Sequence, residues 1–263
     1  MTVVAAPTHV GDLLRGWRRR RHLSQLELSL EAEVSARHLS FVETGRSKPS
    51  RELVLHLAEH LEVPLRDRNT LLLAAGYAPA HPRTALDAPE MTPVRQALDA
   101  ILTGHEPYPA VIVDHRWNVV TANDAALAVL ADGVAPELLA PPMNALRVTL
   151  HPDGLAPRIV NLSEWAAHLL QRLQREATAS GDPDLAALLQ ELRGYPGVSA
   201  GHDDGDTAGR LFVPLRLRHD RLGELSFFST VATFGTALDL TMAELAIESF
   251  FPADDATAAA LRG

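Results

Sequence analysis

Three serines frame the N-terminal third of this chain. Ser24, Ser35 and Ser50 each stand just ahead of a short segment whose apolar residues recur at helical spacing. A serine in that place caps a helix, because its side-chain oxygen accepts a backbone N–H that the first turn leaves without a partner. Glu27 completes an S-x-x-E capping box with Ser24. Between Ser24 and Ser50 the sequence SQLELSLEAEVSARHLSFVETGRSKPS therefore reads as two short amphipathic helices joined by a tight turn. Leu26, Leu28 and Leu30 supply apolar surface to the first helix, and Ala32 is small enough for close helix packing. Glu33–Val34 makes the turn, with Val34 plugging the angle between the helices. The second helix turns Leu39 and Val42 inward, at i, i+3, and Ala36, Arg37, Ser40 and Phe41 outward. Thr44–Gly45 ends it, Gly45 being free to take the left-handed conformation of a helix terminus.

This layout is that of a helix-turn-helix that reads the DNA major groove. A plain solvated helix would carry Glu and Lys on its outer face, whereas this one is short and polar. Ala36, Arg37, Ser40 and Phe41 are expected to reach base edges, Phe41 against a thymine methyl. Ser24, Gln25, Arg46 and Lys48 are expected to hold the DNA backbone. A second basic cluster, Arg18 to Arg21, ends the preceding helix, and its charges are expected to divide between phosphate and the helix C-terminus. Val10 to Arg20 reads as that first helix, with Val10, Leu13, Leu14 and Trp17 on one face. Ser50 opens a fourth helix with Leu53, Leu57, Ala58 and Leu61 inward. Pro64 fits the first turn of a fifth, which Gly76 stops.

A net charge of −9 runs against nucleic-acid binding until it is divided along the chain. Residues 10–76 carry +2 and residues 77–263 carry −11. The acidic part should weaken unspecific DNA affinity, which is mostly phosphate electrostatics. Specific recognition then depends on the helix face and on a homodimer, which doubles the base contacts. With no cysteine among 263 residues, disulfides, zinc-thiolate sites and thiolate catalysis are excluded. No apolar run approaches the ~20 residues of a membrane span, and MTVVAAPTHV lacks the form of a signal peptide. A cytoplasmic protein without membrane contact is expected.

Four prolines between Tyr77 and Pro93 mark a linker over 77–92, which separates a first domain, 1–76, from a second, 93–263. After a short helix, Ala110–Asp114 is a buried strand by its β-branched content, and Trp117–Ala122 returns as another. Asn123–Leu130 is helical, and so are Ser163–Ala179, with Trp165, Leu169, Leu170 and Leu173, and Asp184–Leu192. Arg210–Arg218 alternates as a half-buried strand, followed by strands at Leu222–Phe234 and Leu245–Phe251. Thr241–Glu244 offers the alternative of a helix start.

Residues 24–50 resemble the XRE-type helix-turn-helix, whose common form is S-Q-x-x-L-x-x-x-A-x-V-S-x-x-x-L-S-x-x-E-x-G-R-x-x-P-S. The variant VSARHLSFVETGRSKPS, residues 34–50, resembles XRE regulators with an MmyB-like ligand-binding domain. Looser motifs extend that resemblance over most of 91–256: PYPAVIVD, Asn144 to Arg147, the helix around Trp165, and ELAIESFFPAD. The resemblance implies a five-helix, all-α XRE domain followed by an α+β PAS-like domain with an antiparallel sheet. It also implies a cavity in that domain for a small apolar, fatty-acid-like ligand.

Catalytic signatures are missing: there is no G-x-S-x-G, P-loop, G-x-G-x-x-G or H-E-x-x-H. The chain is read as no enzyme, with no metal and no other cofactor. Asp203, Asp204 and Asp206 lack the distant glutamate of a calcium loop and read as a solvated hairpin. Arg147, His151 and Trp165 form the candidate ligand set. Arg147 interrupts an apolar stretch, where a charge is costly unless paired, either with a carboxylate such as Glu164 or with that of a ligand. The reading is a sequence-specific regulator that binds double-stranded operator DNA under control of an apolar ligand. Its rivals are an antitoxin-like protein-interaction module and an enzyme using the C-terminal cavity.

Overall fold

The computed structural model describes residues 9–198, 212–235 and 237–263. The chain divides into two compact units, Met1–Thr84 with Ala237–Ala243, and Ala85–Thr236 with Glu244–Gly263.

The N-terminal unit holds α1 (Val10–Arg20), α2 (Gln25–Glu31), α3 (Ala36–Glu43), α4 (Arg51–His60) and α5 (Leu65–Ala74). The three serines cap as their positions require: Ser24 accepts from Glu27 N at 3.1 Å, Ser35 from His38 N at 3.0 Å and Ser50 from Leu53 N at 3.1 Å. The Glu27 carboxylate returns a bond to Ser24 N at 2.7 Å, completing the box. His9 caps α1 through Nδ1, which accepts from Gly11 N at 3.1 Å. Leu14, Leu28, Leu39, Val42, Leu57 and Leu61 are buried to within 1% and form the centre of the core. Gly11 lets α1 lie directly on the end of α3: a Cβ there would stand 2.3 Å from the Val42 carbonyl oxygen.

Several expectations are corrected here. Of the three leucines on α2 only Leu28 is buried, while Leu26 and Leu30 are 62% and 69% exposed. At 100° per residue, Leu26 and Leu30 share a face that Leu28 opposes. On α4, Val54 is fully buried and Leu53 only partly. Pro64 is the N-cap of α5 and not its first residue. The linker was expected to start at Tyr77, yet residues 77–84 are part of this unit. The Tyr77 hydroxyl donates to Pro49 O at 3.0 Å, and Asn69 bonds Ala80 N and His81 through its side chain. The strap 237–243 adds a short helix, α12 (Leu240–Ala243). Within this unit Asp239 accepts from Thr84 N at 3.0 Å and Thr84 Oγ1 at 2.7 Å, while Thr241 Oγ1 donates to Thr84 O at 2.7 Å. A proline-rich extended segment makes no ladder of its own, so side chains satisfy its backbone.

The second unit is α+β. After α6 (Thr92–Gly104) come β1 (Ala110–Val113) and β2 (Val119–Ala122), then α7 (Asp124–Leu130), α8 (Pro136–Leu139) and α9 (Ala145–Leu150). Two long helices follow, α10 (Leu162–Ser180) and α11 (Pro183–Arg193), then β3 (Leu215–His219), β4 (Gly223–Thr233), β5 (Ala246–Pro252) and α13 (Asp255–Arg262). The five strands form one antiparallel sheet in the order β2-β1-β5-β4-β3. The fold class is the expected one, a helix-turn-helix domain followed by an α+β PAS-like domain with an antiparallel sheet. Helices α8 and α9 are too short for periodicity to reveal, and with α13 they are additions. The acidic stretch at Asp203, Asp204 and Asp206 lies outside the described residues.

Candidate DNA-reading face and ligand cavity

Helix α3 presents Ala36 and Arg37 to solvent, with Ser40 and Phe41 half-buried beside them. Gly45 holds φ +72°, which turns the chain sharply after α3. Arg46 N and Ser47 N then both bond Phe41 O, at 2.8 and 3.1 Å. That turn brings the Arg46 guanidinium 5.9 Å from the Phe41 ring centroid, while Arg37 lies 5.4 Å from the same ring. The Phe41 ring is thus engaged by two cations, an arrangement that orients both arginines. Lys48 is exposed and sits 5.0 Å from the Tyr77 ring. Ser24 is exposed, its oxygen engaged in the cap; Gln25 Nε2 donates to Glu43 at 2.8 Å.

Glu43, the last residue of α3, anchors this face from inside. Its side chain is fully buried and accepts from Arg18 Nε at 2.7 Å and Arg18 Nη2 at 2.8 Å. Arg15 adds a bond to the Glu43 carbonyl at 2.7 Å. Burial pushes the Glu43 carboxyl up, but the bonds from Arg18 and Gln25 outweigh it and hold it below the usual carboxylate range. The arginine cluster is therefore divided differently from the expectation. Arg18 is spent on Glu43, Arg20 lies 3.8 Å over the Trp17 ring, and Arg21 bonds the carbonyls of Leu61 and Glu62 past the end of α4. Arg19 is exposed.

In the second unit a pocket, partly open to solvent, lies between the sheet and helices α7, α9 and α10. Apolar side chains such as Val111, Leu130, Met143, Leu146, Leu169 and Phe250 dominate its wall. Strand pairing sets Val111 of β1 opposite Glu248 of β5, so this glutamate faces the cavity too. Glu248 is 6% exposed and lies 3.7 Å from Arg172 Nη1. Arg172 also bonds Glu176 at 3.0 Å and stacks 4.2 Å from the Trp117 ring, whose Nε1 donates to Glu176 at 2.8 Å. Burial pushes the Glu248 carboxyl up, against the pull of Arg172 and a bond from Ser229.

The three residues expected to hold a ligand do not come together. Trp165 lines the cavity. Arg147 does not; it makes a bidentate pair with Glu191, both bonds 2.7 Å, on α9 and α11. His151 joins that outer cluster through the ring of Tyr195, at 4.9 Å, and Tyr195 donates to Glu191 at 2.6 Å. Burial and that bond to Glu191 push the Tyr195 hydroxyl up to about 12. Glu164, the partner expected for Arg147, instead accepts from Asn161 at 3.1 Å. Sequence reasoning passed over Glu248, although a glutamate inside the apolar run LAIESFF was a visible signal.

A capped reading helix on a five-helix frame and a lined cavity on an α+β domain define a class: a helix-turn-helix protein carrying its own ligand-binding domain. Residues 94–263 match the MmyB-like transcription regulator ligand binding domain, and residues 9–71 match a helix-turn-helix domain. The first match covers most of the chain, which belongs to the MmyB-like transcription regulator family. Transcriptional regulator ClgR of Mycobacterium tuberculosis, in strains CDC 1551 / Oshkosh and ATCC 25618 / H37Rv, is 40% identical over 67 residues. That stretch is 26% of this chain and 57% of the relative's length, so the chain spans little more than half of each curated relative. A solved RNA-binding Light-Oxygen-Voltage receptor aligns over 99% of this chain and 64% of its own at 15% identity, with a TM-score of 0.24, too low to carry an argument. Among the described residues no helix is long and apolar enough to cross a membrane.

Proposed function

We propose that this protein is a sequence-specific transcription regulator that binds operator DNA as a homodimer and responds to a small apolar molecule in its C-terminal domain. The observation that carries the DNA reading is the α3 face: Arg37 exposed, Phe41 engaged by Arg37 and Arg46, and the helix anchored from within by Glu43. Arg37 has the reach and the two-pronged donor geometry to read a guanine edge. Ala36, Ser40 and Phe41 flank it, and Arg46, Lys48, Ser24 and Gln25 are assigned the contacts to the DNA backbone. Phe41's chief contribution is to set the two arginines. A single short helix reads few bases, so two-fold symmetry supplies the rest.

The ligand reading rests on the pocket, whose apolar wall suits an acyl chain. Covalent connection supports control of one unit by the other. The strap 237–243 belongs to the N-terminal unit, and the chain leaves it directly into β5, which contributes Glu248 and Phe250 to the cavity wall. A ligand shifts an equilibrium only by its differential affinity for the two states, so the test measures both events. Sequences enriched from random DNA by the full chain are titrated with and without an acyl-chain ligand. Enrichment of a symmetric motif with ligand-dependent affinity supports the proposal; failure to enrich any motif removes it.

A further inference from the structure

The polar side chains among the residues that line the cavity bear on what kind of ligand end belongs there, given the proposed role of the cavity as a ligand site. Thr149 Oγ1 is spent on Ala145 O at 2.8 Å, and Trp117 Nε1 on Glu176. Two further polar groups belong to the described wall. Trp165 is 3% exposed, and its Nε1–H has no hydrogen-bond partner among the described residues. A buried donor without an acceptor costs free energy that a bound acceptor would return. The second group is the Glu248 carboxyl, which takes a bond from Ser229, lies 3.7 Å from Arg172 and is the sole ionisable side chain of the described cavity wall.

Among the described residues the wall holds no cation. Arg172 stands behind Glu248 and is already shared between Glu248, Glu176 and the Trp117 ring, and Arg147 is paired with Glu191 away from the cavity. A ligand carboxylate would therefore enter an apolar wall whose described residues offer it no cation to pair with. Burial favours the protonated form of Glu248, and a protonated carboxyl both donates and accepts.

We propose that the cavity takes an uncharged amphiphile, an apolar chain ended by a neutral amide or hydroxyl group. Its oxygen accepts from Trp165 Nε1–H, and its own N–H or O–H donates to the Glu248 carboxyl. A fatty-acid carboxylate is the disfavoured relative of this ligand.

The experiment titrates the full chain with dodecanamide, dodecanol, dodecanoate and a dodecyl chain with no polar end, by calorimetry at neutral pH. The amide is expected to bind tightest, and dodecanoate about tenfold or more weaker. Trp165→Phe keeps an aromatic ring and removes the donor. It should weaken amide and alcohol about five- to tenfold relative to the unsubstituted chain, as loss of one buried hydrogen bond does. Reading that ratio within each variant separates a lost bond from loosened packing, which lowers all ligands together. Glu248→Gln should narrow the gap between carboxylate and amide. A carboxylate that binds as tightly as the amide, or that Arg147→Leu selectively weakens, overturns the head-group inference and leaves the sensor reading intact. If no member of the series binds, the sensor reading falls, and this inference with it.

Discussion

Arg18 and Glu43 close two hydrogen bonds of 2.7 and 2.8 Å inside the N-terminal unit, tying α1 to the last residue of α3. Glu43 is fully buried there and Arg18 nearly so. Removing one partner of such a pair strands the other charge in the interior. Glu43→Ala is expected to destabilise the N-terminal unit by about 3–5 kcal/mol, read from urea unfolding followed by tryptophan fluorescence in a Trp117→Phe, Trp165→Phe background that leaves Trp17 as the reporter. A loss below about 1 kcal/mol, the worth of an exposed pair, would show that the pair is not buried in solution.

The same pair sets an acid dependence. Glu43 titrates below its unfolded value of about 4.3, so its contribution is complete above that pH and fades as the pH falls through the lower folded value. Unfolding temperature of the parent should fall more steeply with acid below about pH 4.3 than that of Glu43→Gln, which has no such proton to gain. Parallel curves for parent and variant would contradict this.

Gly11 packs against backbone. An added Cβ meets the Val42 oxygen at 2.3 Å and the Glu43 oxygen at 2.8 Å, and neither is the end of a flexible side chain. Gly11→Ala should therefore destabilise by about 1–3 kcal/mol even though alanine is the better helix former, whereas Gly16→Ala, whose nearest neighbour is the Arg20 guanidinium at 3.8 Å, should stabilise or be neutral. Equal effects of the two substitutions on the melting temperature would count against the α1–α3 contact.

Asp239 fastens the strap through two bonds to Thr84. If the strap carries the ligand signal, Asp239→Ala should keep operator affinity without ligand within about twofold and shrink the ligand-induced change. An undiminished ligand effect in gel-shift titrations would take the strap out of the route.

The parts legible in the sequence were those governed by local rules. The serine caps, the burial of Leu39 and Val42 on α3, and the alternation of Leu215 and Leu217 follow from spacing alone, although the strand begins at Leu215, and residues 210–211 of its expected start lie outside the described residues. What stayed hidden depends on long-range partners. The burial of Glu43 needs Arg18, 25 residues away, and the Arg147–Glu191 pair spans 44 residues. Leu26 and Leu30 misled because a seven-residue helix offers two turns of pattern, too few to fix which side faces the core. The strap escaped notice because residues 237–243 lie between two strands of one sheet yet pack in the other unit.

The most direct measurement is protection of an enriched operator by the full chain, beside Arg37→Ala and Arg46→Ala. The account predicts two protected half-sites about one helical turn, ~34 Å, apart. Arg37→Ala should lose about 1–3 kcal/mol on the operator alone, with unspecific binding unchanged. Arg46→Ala should weaken operator and random DNA together and reduce the salt slope by about one. An operator bound as tightly by Arg37→Ala as by the parent would contradict the assignment of α3 as the reading helix.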